Sequence, residues 1–185
     1  MTGITLEFDA TEAKEALKSV GAKLSDAAPL LRDIGEYLLI AHWNRFKIMQ
    51  SPDGVPWRPL HPDYLKQKKK NKNRILYLDG YLSSTLRYQV NGETLLFGSN
   101  RPYAAIHHFG GAIPIPARSQ QAYFKRQKDG SVGNKFVKKS KSDFAQYVTI
   151  GAHKITMPAR PWLGTSADDN AEITRITLDY LRSVI

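Results

Sequence analysis

The residues from Trp43 to Leu60, WNRFKIMQSPDGVPWRPL, constrain the fold more than any other part of the chain. A long apolar run ends at Ser51-Pro52, and the next positions hold Pro52, Asp53, Gly54, Pro56, Trp57 and Pro59. Three prolines fix φ and remove backbone donors, and Gly54 accepts a left-handed backbone after Asp53. The stretch is therefore expected as a rigid irregular loop, neither helix nor central strand. A large aromatic such as Trp57 on a stiff loop plugs into the chain's own core or into a neighbouring subunit. The residues alone leave both open.

Upstream, Ile4–Phe8 alternates apolar and polar positions and reads as a short strand. Asp9 offers an N-cap with Glu12 three residues on, and Ala10, Ala13, Leu17, Val20 and Leu24 make one stripe of an amphipathic helix. Asp26 caps a second helix that tolerates Pro29 in its first turn and runs to about Met49, ~36 Å at 1.5 Å per residue. Its apolar residues, Leu30, Leu31, Ile34, Leu38, Leu39, Trp43 and Phe46, cover more than one face. Such a helix is expected between a sheet and a second surface, either another helix or another subunit.

Downstream, Pro62–Leu65 starts a short helix that runs into a lysine block, and Asp79-Gly80 turns the chain before another short helix from Tyr81 to Leu86. Leu86–Val90, Asn91-Gly92 and Thr94–Phe97 read as a β-hairpin. Pro102–Phe109 is a short helix ended by Gly110-Gly111. The prolines of Ile113-Pro114-Ile115-Pro116 restrict that segment to an edge strand or extended arm. Ala117–Ala145 is polar, basic and glycine-bearing, and reads as an excursion, mobile or tip-forming. Tyr147–Met157 returns to strand texture, and Pro158–Trp162 is a second stiff connector. Thr165 or Ser166 caps a last helix with Asp168 and Asp169 in its first turn, where they favour the dipole; Ile173, Ile176, Tyr180 and Val184 form its stripe. The expected class is α+β in a single domain, residues 1–185. One antiparallel sheet of four to five strands packs with two N-terminal helices and one C-terminal helix, joined by proline-rich stiff loops.

Charge is distributed unevenly. The net charge is +10. Residues 66–74, with Lys66, Lys68, Lys69, Lys70, Lys72 and Arg74, carry +6; residues 125–141 carry seven basic side chains and Asp129, again +6. The remainder sums to −2. Blocks of this kind sit on solvated faces or meet an acidic partner. The first block, beside Tyr64 and Tyr77, is a candidate contact for phosphates, without any signature of base readout. There is no cysteine, so thiolate chemistry and disulfides are excluded. MTGITLEFDA lacks the features of a signal peptide, and the most apolar stretch, Tyr37–Ala41, falls far short of the ~20 residues that span a bilayer. A soluble protein made in a cytoplasm, with no membrane contact, is expected.

Catalytic patterns are absent from the sequence: no Gly-x-Ser-x-Gly, no phosphate loop and no G-x-G-x-x-G. Asp53 and Asp79 precede glycines and suit turns. His107 or His108 with His153 and Asp79 is the one zinc set the composition leaves open; the plainer reading has one histidine bonded in the core and its neighbour in solvent. No enzyme, cofactor or metal is expected.

Four phrases occur in order: SPDGVPWRPL after the helix, ILYLDGYLSSTL from Ile75, RPYAAIHHFGG from Arg101 and MPARPWLGTSADD from Met157. In order and spacing the chain resembles the virion morphogenesis (tail completion) family of Mu-like and P2-like contractile-tailed phages, over most of Phe46–Leu181. The excursion at Ala117–Ala145 departs from that pattern. The resemblance implies a structural protein that completes the tail, or forms part of the head–tail joint, by assembling into a ring. It would be made in the host cytoplasm and end in the virion neck or tail end. Its implied partners are copies of itself, other tail or neck proteins, and DNA passing through the channel. On that footing the candidate interface residues are Pro52, Asp53, Gly54, Pro56, Trp57 and Pro59 of the first stiff loop, Ile113 and Ile115 of the extended segment, and Arg160, Pro161 and Trp162 of the second loop. Rigid loops lose little entropy on docking. The alternative from another class is a nonspecific basic nucleic-acid-binding protein, marked by affinity that falls steeply with salt.

Overall fold

The computed structural model describes residues 11–183. The strand expected at Ile4–Phe8, the Asp9 cap and the helix positions Ala10 and Val184 lie outside the described residues. In chain order the elements are α1 (Thr11–Leu24), α2 (Ala28–Ile48), α3 (Pro62–Gln67), α4 (Tyr81–Ser84), β1 (Arg87–Asn91), β2 (Thr94–Gly98), α5 (Ala104–Phe109), β3 (Gly111–Ile115), β4 (Arg118–Phe124), β5 (Phe144–Ile150), β6 (His153–Met157) and α6 (Ala167–Arg182). They form two compact units: residues 1–109 with 158–185, and residues 110–157.

The first unit is built on α2. Asp26 Oδ1 accepts the Ala28 N–H at 3.1 Å, and Pro29 occupies the first turn, where no intrahelical donor is needed. At the other end Met49 adopts a left-handed backbone, φ 59°, and donates its N–H to Arg45 O at 2.8 Å. Leu30, Gly35, Leu38, His42, Arg45 and Phe46 are buried, a stripe at helical spacing. They face the β1–β2 hairpin, α4 and α6. The hairpin approaches closely because Gly35 has no side chain: the Tyr88 ring lies 2.6 Å from where a Cβ would sit, and the Tyr88 hydroxyl donates to Glu36 Oε1 at 2.7 Å. The hairpin turns at Gly92-Glu93, one residue later than the Asn-Gly pair suggests, with Gly92 at φ 57°. At the head of α6, Ser166 Oγ accepts the Asp169 N–H at 3.0 Å while Asp169 Oδ2 accepts the Ser166 N–H at 2.8 Å, a reciprocal cap. The core holds Phe46, Trp57, Leu82, Ala104 and Trp162, flanked by Met49, Ile75, Leu76, Leu86 and Leu163.

The second unit is one two-stranded antiparallel ribbon. β3 pairs with β6 and β4 with β5, and the register runs through without a slip: Ile115 lies opposite His153 and Arg118 opposite Ile150. Pro116-Ala117 and Gly151-Ala152 interrupt the ladder between the two halves. The tip folds back on the strands. Val137 N donates to Tyr123 O at 2.8 Å, Arg126 N to Asp143 Oδ1 at 2.7 Å, and the Phe124 and Phe136 rings are 5.2 Å apart.

Three expectations change. The strands form three two-stranded pairs instead of one sheet of four to five. Alternation marks strands but does not name their partners, and Pro114, paired opposite Lys154, has no N–H to offer a further strand on its outer edge. The excursion at residues 117–145 begins with β4, where Gln120, Gln121 and their neighbours pair across the ribbon without an apolar alternation, and goes on to form the tip. The stripe of α1 does not enter the core: Ala13 is exposed and Leu17 is 72% exposed. Helix α3 stops at Gln67, and the lysine block is a loop, because Lys68 takes an extended backbone and turns its ammonium inward.

Candidate functional site

The two stiff loops that the sequence presents as separate candidates are joined into a single structure. After α2 the chain makes a closed turn: Ser51 N donates to Val55 O at 2.8 Å, Gly54 N to Ser51 O at 3.0 Å, and Val55 N to Ser51 Oγ at 3.2 Å. Gly54 supplies φ 75°, the conformation its place after Asp53 predicts. Trp57 N then bonds Met49 O at 2.9 Å, and its indole turns inward, 3% exposed, with its ring edge-on to Phe46 at 5.4 Å. The indole N–H donates to Pro161 O at 2.8 Å, a carbonyl of the second loop. In return the Arg160 guanidinium donates to Arg58 O at 2.8 Å and Pro59 O at 3.1 Å. Trp162, also 3% exposed, donates its indole N–H to Ala104 O at 3.1 Å. His108 Nδ1 accepts the Trp162 and Leu163 N–H groups, each at 3.3 Å. Pro52 seats against Gly164, its Cγ 3.1 Å from where a Cβ would be. Prolines that cannot donate are thus used as acceptors and spacers, and the arginine and indoles provide the donors.

Beneath this junction lies a buried charge cluster. Arg45 donates to Trp162 O at 3.3 Å, to Gly164 O at 2.7 Å and to Asp169 Oδ2 at 2.6 Å, with both charged side chains almost fully buried. Tyr37 donates to Asp169 Oδ1 at 2.8 Å. Burial alone would raise the Asp169 pKa, but hydrogen bonds from Ser166 and Tyr37 and the charge of Arg45 hold it below the usual carboxylate range. The Tyr37 hydroxyl is pushed up to about 12, first by burial and then by its bond to Asp169. One turn before Arg45, His42 is buried against Phe97, its Nδ1–H donating to Leu38 O at 2.7 Å. Its Nε2 has no partner among the described residues, and burial lowers its pKa to about 4. The cluster fastens α6 and the second loop to α2.

Four of the six cations of the first basic block have partners close by in the chain, two of them carboxylates. Lys66 pairs with Asp63 at 2.9 Å and Lys70 with Asp79 at 2.6 Å, and the Arg74 guanidinium lies over the Tyr77 ring at 3.9 Å. Lys68 is 4% exposed and closes the loop on itself, donating to Asn71 O at 2.6 Å and Arg74 O at 2.5 Å. Burial, with the charge of Arg74 nearby, lowers its pKa. Lys69 and Lys72 remain exposed. A pocket of about 500 Å³ between Tyr64, Gln67, Lys70, Leu78 and Asp79 carries both signs of charge.

The sequence model of the phage virion morphogenesis family matches residues 8–182. The chain belongs to this family. It is also 24% identical, over 177 residues, to a Haemophilus influenzae protein called Mu-like prophage FluMu G protein 2, a match covering 96% of this chain and 94% of that one. No solved structure matches it. Membership of a phage virion morphogenesis family makes this a phage structural or assembly protein associated with the virion. Among the described residues no helix is long and apolar enough to cross a membrane, and no group of three or more metal-ligating side chains is assembled.

In this family member the sequence candidates divide into an inner and an outer set. Trp57, Arg160 and Trp162 are buried in their own unit. Asp53, Gly54, Pro56, Pro59 and Pro161 are exposed and Pro52 is half-buried. Ile113 and Ile115 sit half-buried in β3 of the other unit. Sequence reasoning missed Val55, the 61% exposed apolar tip of the first loop, because a single valine in a turn carries no periodic pattern. It also missed Arg45, whose partners lie more than a hundred residues away and leave no local pattern.

Proposed function

We propose that this protein is a structural subunit that assembles into a ring and completes the tail, or forms part of the head–tail joint, of a tailed phage or phage-derived particle. The observation that carries the reading is an apolar strip on the solvent side of α2, crossed by Lys47. Ile40, Trp43 and Ile48 are 60%, 50% and 60% exposed, Ile40 and Trp43 are neighbours at i,i+3, and the Lys47 ammonium lies 3.4 Å over the Trp43 ring. The strip continues in sequence into the first stiff loop, with Val55 at its tip. Apolar residues gathered on a helix and a preordered loop, unlike ones scattered singly, mark a surface that another protein covers. The hydrogen bonds that fix residues 51–57 remove most of the ordering cost of docking. A strip of one copy meeting a different patch on the next is a heterologous contact, the kind that closes into rings. Exposed Arg58, Pro59 and Pro161 flank the loop and belong to the same docking surface. The further partners are other tail or neck proteins stacked on the ring, in the neck or at the tail end. Before incorporation the subunit resides in the host cytoplasm.

Sedimentation velocity and negative-stain electron microscopy of the purified protein test the reading. A closed ring is expected. Trp43→Asp with Val55→Asp should abolish it while the chain still melts cooperatively, since each side chain is at least half exposed. A wild-type chain that stays monomeric at every concentration, and in extracts of assembling particles, contradicts it.

A further inference from the structure

We propose that the two-stranded ribbon of residues 110–157 binds duplex DNA through its phosphate backbone, without reading base sequence. The ribbon carries nine lysines and arginines against two aspartates, a net charge of +7. All nine cations are exposed: Arg118, Lys125, Arg126, Lys128, Lys135, Lys138, Lys139, Lys141 and Lys154. Neither carboxylate is spent on them. Asp129 accepts the Ser131 N–H and hydroxyl at 2.9 and 2.7 Å, and Asp143 accepts the Arg126 backbone N–H at 2.7 Å. Every ion pair among the described residues lies in the other unit. The two basic blocks, alike in sequence, are therefore different objects. The first is paired with Asp63 and Asp79 and folded around Lys68; the second repels itself over a Debye length of about 8–10 Å until something acidic arrives.

The chemistry of the ribbon favours phosphate over an acidic protein face. Six of the seven tip cations are lysines, point charges that suit phosphates from many directions and are depleted at protein interfaces. Ser119, Gln121, Tyr147 and Thr149 fall on one face of the β4–β5 ladder by register and are exposed, polar and uncharged. Side chains of this kind hydrogen-bond phosphate and sugar oxygens, and a two-stranded ribbon is narrow enough for the major groove. On the opposite face Ala122 and Phe124 are buried, Phe124 with its ring 5.2 Å from Phe136. The proposal adds a partner to the assembly role and is read with purified protein, so a missing ring and missing DNA binding fail separately.

The test uses the full-length protein and a fluorescein-labelled duplex of arbitrary sequence, with binding followed by anisotropy across a range of NaCl concentrations. Log K should fall linearly with log salt, at about −0.9 per phosphate neutralised. Changing Lys135, Lys138, Lys139 and Lys141 to Ser should make that slope shallower by about 2–4 and weaken binding by at least about tenfold near 0.1 M salt. Lys14→Ser with Lys18→Ser, on α1, should change neither. If the quadruple variant does not melt cooperatively, Lys138→Gln with Lys139→Gln is read in the same way, with a slope change of about 1–2. No binding at low salt, a slope indifferent to the tip lysines, or equal displacement of the duplex by polyglutamate overturns the proposal; the last would mark an acidic protein partner instead.

Discussion

Replacing Asp169 with alanine removes the acceptor at the centre of the buried charge cluster. Three donors lose it together: Arg45 Nη2 at 2.6 Å, the Tyr37 hydroxyl at 2.8 Å and the Ser166 N–H at 2.8 Å. Arg45 keeps the Trp162 and Gly164 carbonyls, which solvate a guanidinium but do not neutralise it. Stranding a buried charge in this way costs about 3–5 kcal/mol. The helix cap is only half lost, because Ser166 Oγ still receives the N–H of residue 169, and that half adds roughly 0.5–1 kcal/mol. Against a typical total stability of about 5–15 kcal/mol, the variant sits near the edge of unfolding. At about 2–4 °C per kcal/mol for a chain of this size, the melting temperature should fall by roughly 7–24 °C. Urea and thermal unfolding followed by circular dichroism measure this. Arg45→Met combined with Asp169→Leu should recover at least half of the loss, since the cost lies in the unpaired charge more than in the missing pair. A single variant within about 1 kcal/mol of wild type, or a double variant no better than the single, would refute the reasoning.

Acid should weaken the fold in two steps. The unfolded chain protonates His42 at the ordinary 6.5 while burial holds the folded value at about 4, so stability is full above that window and declines through it as pH falls, by up to roughly 3 kcal/mol. Asp169, with its depressed pKa, contributes stability that is lost only at still lower pH, below the usual carboxylate value. A urea midpoint that does not move between neutral pH and pH 4 contradicts the first step. Trp57→Ala should cost about 3–5 kcal/mol, because the indole fills the core beside Phe46 and supplies the Pro161 hydrogen bond; an unchanged melting temperature would remove Trp57 from the core. Exchanging residues 111–157 for a short glycine link should leave the first unit melting cooperatively, since Gly111 and Met157 are opposite one another in the ladder and their ends need little closure. Loss of the cooperative transition would show the ribbon to be part of that unit's stability.

Local chemistry was legible in the sequence wherever a few adjacent residues decide the outcome. Three prolines and a glycine fixed the loop after α2, Pro29 and the run to Met49 delimited that helix, and Ser166 with Asp169 wrote the α6 cap. Pairing over long distances was not legible. Nothing near Arg160 in the sequence indicates that its guanidinium bonds Arg58 and Pro59, so two loops were read where one joined structure exists. The same holds for the lysines. Lys68 and Lys138 sit in equally basic blocks, yet one is buried under its own loop and the other is in solvent, because only the first has carbonyls of Asn71 and Arg74 turned toward it. Strand partners escaped for a related reason: polar residues such as Gln120 and Gln121 pair through their backbone, and the alternation that reveals a half-buried strand is not required of a ribbon.

The central claim, that this protein completes a tail or joins it to a head, is tested most directly by electron micrographs of particles made from the phage-derived genome that encodes it, with this gene deleted and then restored in trans. The account predicts finished heads beside unjoined or irregular tails in the deletion, and intact particles on restoration with the wild-type chain but not with Trp43→Asp and Val55→Asp. Fully assembled virions in the absence of the protein would contradict it.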